Sequence, residues 1–377
     1  MPRKKKVKNL LQTINLEKQI EGAPITRDNL ALNIISWGIH NDYPLLLLNL
    51  YNNSPVHHAC VNFAVKSIVG RGINYDELNG TDIATPNPNS TWDELLYGLS
   101  LDYKLYGTFA IEIIKNRGGN TFSFYHIPAE QVRWTPYVDG KVLKYYISSD
   151  WTAPATNVPE EVDAFESADE VRVGRKYLYV YKQYSPANTY YTSPTYTAAI
   201  TAIQADIEYN NYDYRHITNS FSPAGLLTLP PVETEEQKAE IIRNVQQMFA
   251  GSNNTNSVMI QFSNGIDSTD NIKFVPFSSD NTADDYANAN DRVVNRILAA
   301  HSIPSRALIG MPLENNGFAS EAAILQNAND LYQTLVGETD REIILKAINN
   351  MLDMNGIEED ITIKPLVFAM DDNQGES

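Results

Sequence analysis

Residues 193–227, SPTYTAAITAIQADIEYNNYDYRHITNSFSPAGLL, and residues 291–310, DRVVNRILAAHSIPSRALIG, decide how this chain is organised. In the first, Ser193 and Pro194 read as the cap and first turn of a long helix. Serine accepts an orphan amide hydrogen there, and proline lacks one that would be left unpaired. Tyr196, Ile200, Ile203, Ile207, Tyr214, Ile217 and Phe221 recur along it at helical spacing. Ser222-Pro223-Ala224-Gly225 ends it. The second stretch closes a helix over about 284–300, with Tyr286, Val293, Ile297 and Leu298 apolar, that breaks at Ile303-Pro304. Between the two helices the pattern is β-α-β-β: a strand at 226–229, an amphipathic helix over 234–249, and strands at 257–262 and 272–277.

Outward toward the N-terminus, Val56, Cys60, Phe63, Ala64, Ser67 and Ile68 mark a helix stopped by Gly70-Arg71-Gly72. Residues 79–90 form a polar loop. Ser90 or Thr91 then caps a helix with Asp93 and Glu94 in its first turn and Leu95, Leu96, Leu99, Tyr103 and Tyr106 on its apolar face. Gly107 ends it. Residues 108–114 and 121–126, joined by Gly118-Gly119, read as a hairpin, and 141–148 and 176–184 as further strands. The acidic, proline-bearing stretch 150–174 reads as a solvated loop. Residues 1–30 read as a basic arm. Downstream, 304–319 is a loop, Ser320 caps a helix to about 335, 339–351 continues helically, and 361–368 closes the chain as a strand. The fold class is α+β, an α+β body interrupted by helix–insert–helix.

With 377 residues, 43% hydrophobic and 20% charged, the chain is long enough for two or three structural units of an ordinary folded protein. It has no apolar run of about 18 residues, so no membrane span is expected. One cysteine, Cys60, excludes an intrachain disulfide and suits a reducing compartment. The net charge is −17, although residues 1–8 carry five cations, Arg3, Lys4, Lys5, Lys6 and Lys8. So acidic a body argues against tight, sequence-independent DNA binding, which relies on Lys and Arg. It is compatible with a passage that DNA slides through without sticking.

The search for chemistry finds little. His57-His58-x-Cys60 holds metal-capable atoms, but neighbouring side chains on a helix point about 100° apart, and no second cysteine completes a structural site. Packed or surface histidines are the better reading. Gly70-x-Gly72 lacks the third glycine and preceding strand of a dinucleotide fingerprint. Asp284-Asp285 and Glu358-Glu359-Asp360 read as solvated faces. The 22 tyrosines, with pairs at Tyr145-Tyr146 and Tyr190-Tyr191, fit sheet faces and subunit interfaces better than a base-stacking platform. Neither a catalytic residue, a metal ligand set nor a cofactor is expected. The alternative reading is a polymer- or glycan-binding enzyme using the Tyr-rich sheet and acidic loops.

The order of these parts resembles the portal proteins of tailed bacteriophages. The resemblance rests on Ser193-Pro194, on Pro223-Ala224-Gly225-Leu226-Leu227, on the helix 291–298, and on Ile303-Pro304-Ser305-Arg306-Ala307-Leu308-Ile309-Gly310. Asn315-Asn316-Gly317 with Ser320-Glu321, and Gly107-Thr108-Phe109-Ala110 leading to Ile127-Pro128-Ala129-Glu130-Gln131-Val132, also fit. It implies a ring, usually of twelve subunits, at one capsid vertex of a virion. It implies assembly in the host cytoplasm, and double-stranded DNA packaged and ejected through the channel without sequence-specific binding. Implied partners are the major capsid protein, the terminase large subunit, which supplies ATP hydrolysis, and a head–tail adaptor. By position, 1–49 is a basic arm and wing edge, 50–193 the wing, 194–222 and 283–302 the stem helices, and 223–279 the clip. Residues 303–320 are the tunnel loop and 321–377 the tunnel helix, small crown and final strand. The resemblance places Arg306, Asn315, Asn316 and Gly317 at the channel. It places Ile200, Ile203, Ile207, Tyr214, Val293 and Ile297 at the stem and oligomer interface, and Glu235, Glu236, Asn253 and Asn254 at the docking face of the clip.

Overall fold

The computed structural model describes residues 26–29, 33–75, 84–118, 121–186, 188–219, 225–229, 234, 236–241, 243, 258–262, 273–276, 282–311 and 318–366. Strands β1 (Thr26–Asn29) and β2 (Ile34–Trp37) pair antiparallel, so the expected N-terminal arm ends in a strand. Helices α1 (Tyr43–Asn53) and α2 (Pro55–Val69) follow. Ser54 caps α2 by accepting the His57 amide. The predicted stop is real: Gly70 has φ 57° and ψ −131°, and a Cβ there would lie 2.4 Å from the Lys364 carbonyl oxygen. Helix α3 (Trp92–Tyr106) begins in a capping box between Thr91 and Glu94 and ends at left-handed Gly107.

The central sheet has six strands in the order β4-β3-β8-β7-β6-β5. They are β3 (Thr108–Lys115), β4 (Phe122–Ile127), β5 (Val132–Trp134), β6 (Lys144–Ile147), β7 (Glu160–Ala164) and β8 (Lys176–Lys182). Two departures from the sequence reading lie here. Residues 132–134 form a strand that was not expected, and the supposed loop 150–174 contains β7, paired antiparallel with β6 and parallel with β8. The acidic residues of β7 and its flanks are cross-strand partners of cations. Lys144 pairs with Glu161, Lys176 with Glu160 and Glu112, Arg175 with Asp163, and Lys141 with Glu166.

Helix α4 (Ile200–Asn219) is preceded by a 3-10 turn, Thr197–Ala199. The helix therefore does not open at Ser193-Pro194. The Ser193 hydroxyl accepts from Asn188, and the Pro194 carbonyl closes a turn on the Thr197 amide. Strands β9 (Gly225–Leu229), β10 (Val258–Phe262) and β11 (Lys273–Pro276) make a separate sheet in the order β10-β9-β11. The parallel β9–β10 pair needs a crossover, and residues 236–241 within it are helical. Helix α5 (Thr282–Ala300) leads to a 3-10 turn, Arg306–Ile309.

Helix α6 (Phe318–Tyr332) starts before Ser320, so that residue lies inside the helix. A π-helical turn, Gln333–Gly337, joins α6 directly to α7 (Glu338–Met354). The expected last strand reduces to a single bridge, Ile73 with Ile363, and residues 367–368 lie outside the described residues.

The sheet separates two cores because strand side chains alternate. Ala110, Trp134, Tyr145, Val162 and Leu178 face α1, α2, α4 and α5. Phe109, Ile111, Ile113, Phe124 and Tyr177 face α3 and α7, meeting Leu96, Leu99, Ile344, Ile348 and Leu352.

Candidate functional site

Helices α4 and α5 flank the insert and pack against each other. Ile200, Ile203, Val293 and Ile297 are buried within the chain, in one cluster with α1 and α2. Their apolar surface is already covered, which corrects the expectation that they face a neighbouring subunit. Ile207 is half-buried, and Tyr214 is exposed at 68%. The stripe changes character along α4, closed where the body surrounds it and open toward the insert.

The chain leaves α5 through Ser302, a non-glycine residue at φ 56°, and Ile303-Pro304. Ser305 caps the following turn by accepting the Ala307 amide, and Gly310 ends it in the left-handed region. Arg306 folds back onto α5. Its guanidinium reaches Asp291 Oδ1 at 3.3 Å and Asn295 Oδ1 at 3.2 Å. The three residues, with Leu298, Ile303 and Pro304, line a cleft. Asn315, Asn316 and Gly317 lie outside the described residues, as do Glu235, Asn253 and Asn254. Glu236 is exposed on the helical turn of the insert.

Two polar centres escaped the sequence reading. Where α5 meets α2, His57 Nδ1 and His301 Nε2 are 3.0 Å apart. The Tyr196 ring stacks on His301, and its hydroxyl donates to the Leu105 carbonyl. Both imidazoles are buried, and among the described residues His57 Nε2 has no hydrogen-bond partner. Burial lowers the His57 pKa to about 3, with the charge of His58 adding to it, and lowers His301 in the same way. Nearby, the Ser54 hydroxyl donates to buried Asp206 at 2.6 Å. Burial, then Asp206, pushes the Cys60 thiol up to about 12. His58, next in sequence, instead stacks on Tyr51. Residues far apart in sequence, such as 57 and 301, give no local signal of their meeting.

The second centre joins α3 to β4. Asp102 Oδ2 accepts from His126 Nε2 at 2.7 Å and from the Ala129 amide at 2.9 Å. Burial raises Asp102. Against burial, the bond to Asp102 and the charges of Asp102 and Glu130 hold His126 above its ordinary value. A carboxylate–imidazole pair is general-base chemistry in outline. Here the other ring nitrogen is covered by α3, where a Cβ on Gly98 would stand 2.8 Å from it. The pair ties strand to helix.

Several of the tyrosines are spent inside or on cross-strand bonds. Tyr191 stacks on Trp37 at 4.5 Å and accepts from the Trp134 amide. Tyr145 is buried, and Tyr146 donates to Glu161. Among the described residues, no three His, Cys, Asp or Glu side chains are grouped to hold a metal ion. Nor is any described helix long and apolar enough to cross a membrane.

Known proteins share this arrangement. A chain in the neck of an empty gene transfer agent particle, computed with C6 symmetry, superimposes with a TM-score of 0.62 at 15% identity. That match covers 88% of this chain and 85% of that one. A chain in the native particle's neck, computed with C12 symmetry, gives 0.59 at 16% identity, covering 91% and 86%. At these identities the likeness is one of fold. The probable portal protein of Haemophilus phage HP1 (strain HP1c1) is 26% identical over 155 residues, 41% of this chain. The chain thus matches 44% of that relative's length. Residues 81–341, spanning the whole six-stranded sheet, both helices around the insert, and α6, match the model of the phage portal protein family, to which this chain belongs.

Proposed function

We propose that the chain is one subunit of a ring-shaped portal at a capsid vertex, through which double-stranded DNA is packaged and later ejected. The observation that carries this reading is the family match across 81–341, which runs unbroken through the helix–insert–helix unit. The gene transfer agent necks with C12 and C6 symmetry supply the analogy for a ring, and twelve subunits is the number we infer. In this reading 50–193 is the wing, α4 and α5 belong to the stem, 223–279 is the clip, 303–320 the tunnel loop and 321–377 the tunnel helix with a small crown. The clip, through Glu235, Glu236, Asn253 and Asn254, docks terminase during filling and a head–tail adaptor afterwards. The wing meets the major capsid protein. The subunit acts structurally in the virion after assembly in the host cytoplasm, and ATP hydrolysis belongs to terminase.

The acidic composition supports a channel that guides DNA by repulsion. Arg306 is held by Asp291 and Asn295, so the uncharged Asn315-Asn316-Gly317 tip is the better candidate for touching moving DNA. The reading is tested by electron microscopy and native mass spectrometry of the purified full chain. Closed rings with a central hole are expected; a persistent monomer at high concentration would overturn it. Deleting 315–317 should impair packaging or DNA retention while rings still form.

A further inference from the structure

With the stripes of α4 and α5 turned into the body, a different surface lies open beside them. An apolar groove of about 510 Å³ runs between the two helices, lined by Ala198, Ala202 and Ala205 on one side and by Arg296, Ala299 and Ala300 on the other. Alanines make this groove, because larger side chains would interdigitate and fill the space between the helices. Arg296 is exposed at its edge, and Arg292, one turn earlier, is exposed as well. Neither forms an ion pair among the described residues. The contrast is sharp in a chain of net charge −17, where Lys104, Lys141, Lys144, Arg175, Lys176 and Arg306 each hold a carboxylate.

The same chain carries the complement. Helix α6 and the π-turn expose Ile324, Leu331 and Leu335 at 39%, 49% and 64%. Their spacing of seven and four residues lines them along one side of a helix. Asp330 stands exposed beside them; its carboxylate accepts from the Gln326 amide and joins no ion pair among the described residues. A ridge of branched apolar side chains edged by a carboxylate matches an alanine groove edged by arginines in both shape and charge.

We propose that the Ile324–Leu331–Leu335 ridge of one copy of this chain seats in the α4–α5 groove of the next, with Asp330 set against Arg296. The inference rests on the ring reading above. Because ridge and groove are different patches, the contact is head-to-tail, the type that generates rings when the rotation closes. Apolar burial anchors it, and the charge pair fixes register and favours encounter between otherwise like-charged bodies. A nucleic acid would use the arginines but would leave both the groove and the ridge empty. A second copy accounts for all three.

The test is a charge swap in the full chain, read by native mass spectrometry and negative-stain microscopy. Circular dichroism would verify that each variant is folded, as expected for exposed positions. Arg296→Glu and Asp330→Arg should each raise the concentration needed for ring formation at least tenfold. The two variants mixed in equal amounts should regain rings, because alternating copies restore an opposite-charge pair at every contact. So should the double variant. If both single variants assemble as the unaltered chain does, the contact is refuted while the ring reading stands. If rings are unaffected and only DNA retention falls in Arg296→Glu, the arginine serves nucleic acid and the proposal is overturned. Absence of rings in the unaltered chain would instead remove the reading on which it rests.

Discussion

The Lys104 ammonium lies 2.7 Å from Asp340 Oδ2, both side chains almost closed to solvent, and the pair joins α3 to α7. The Tyr103 hydroxyl donates to the other carboxylate oxygen at 3.2 Å. Removing one partner strands a buried charge, which costs about 3–5 kcal/mol. Asp340→Ala should therefore lower the urea midpoint sharply. Lys104→Met combined with Asp340→Leu should cost less than either single change, since it removes both charges and keeps the volume.

Gly70 carries the turn that brings the chain end back to α2. A side chain there meets the Lys364 carbonyl and the Ile363 methyl, with φ in the left-handed half of the map. Backbone cannot move aside as a side-chain tip can. Gly70→Ala is expected to destabilise the fold by on the order of 1–3 kcal/mol. Hydrogen exchange should show the Arg71, Asn74 and Lys364 amides, now bonded across this junction, losing protection first.

The His57–His301 contact sets a pH dependence. Both groups have folded-state values depressed below the ordinary 6.5, so the fold favours their neutral forms. The contribution of each is complete above about pH 6.5 and declines as pH falls below it, at about 1.4 kcal/mol per pH unit; that of His57 is lost by about pH 3. His301→Gln removes one of the two. Its stability should fall less steeply than that of the unaltered chain between about pH 6 and 4, measured by denaturant melts across that range. Equal slopes would show that the pair does not govern acid sensitivity.

Cys60 is closed to solvent, and its thiol is held up to about 12 by burial and by Asp206. The thiolate is the reactive form. A maleimide should leave the native chain unlabelled at pH 7.5 and label it stoichiometrically in denaturant. Rapid native labelling would show that α2 opens.

What could be read from the sequence was what is locally encoded. The capping box at Thr91 and Glu94, the stop at Gly70 and the alternation of β3 are written within a few residues of where they act. Strand β7 was hidden because its charges look solvated when read along the chain; they are satisfied only across it, by Lys144 and Lys176. Ser193 has the chemistry of a helix cap, but Asn188 takes its hydroxyl. The stripe through Ile200 and Ile203 was legible, while the surface that covers it was not. Helical periodicity says that a face is buried without saying by what. Of the expected site residues, Asn315, Asn316 and Gly317 lie outside the described residues, and Arg306 reveals its partners only in three dimensions.

The π-turn at Gln333–Gly337 is an insertion absorbed into a helix, one residue more than an α-helix would use over the same arc. Gln333 lies over Gly337, where a Cβ would stand 2.5 Å from its amide oxygen, and accepts a hydrogen bond from Arg341, which also holds the end of α2. Winding the turn into plain α-helix without shortening it would rotate α6 by about 100° and bring Asp330 and Gln333 to the places of Asn329 and Tyr332 in the interior. Losing one residue from the turn itself would leave both halves in phase. The chain is thus length-tolerant at this one turn, while the same deletion within α6 or α7 would put the two halves out of step.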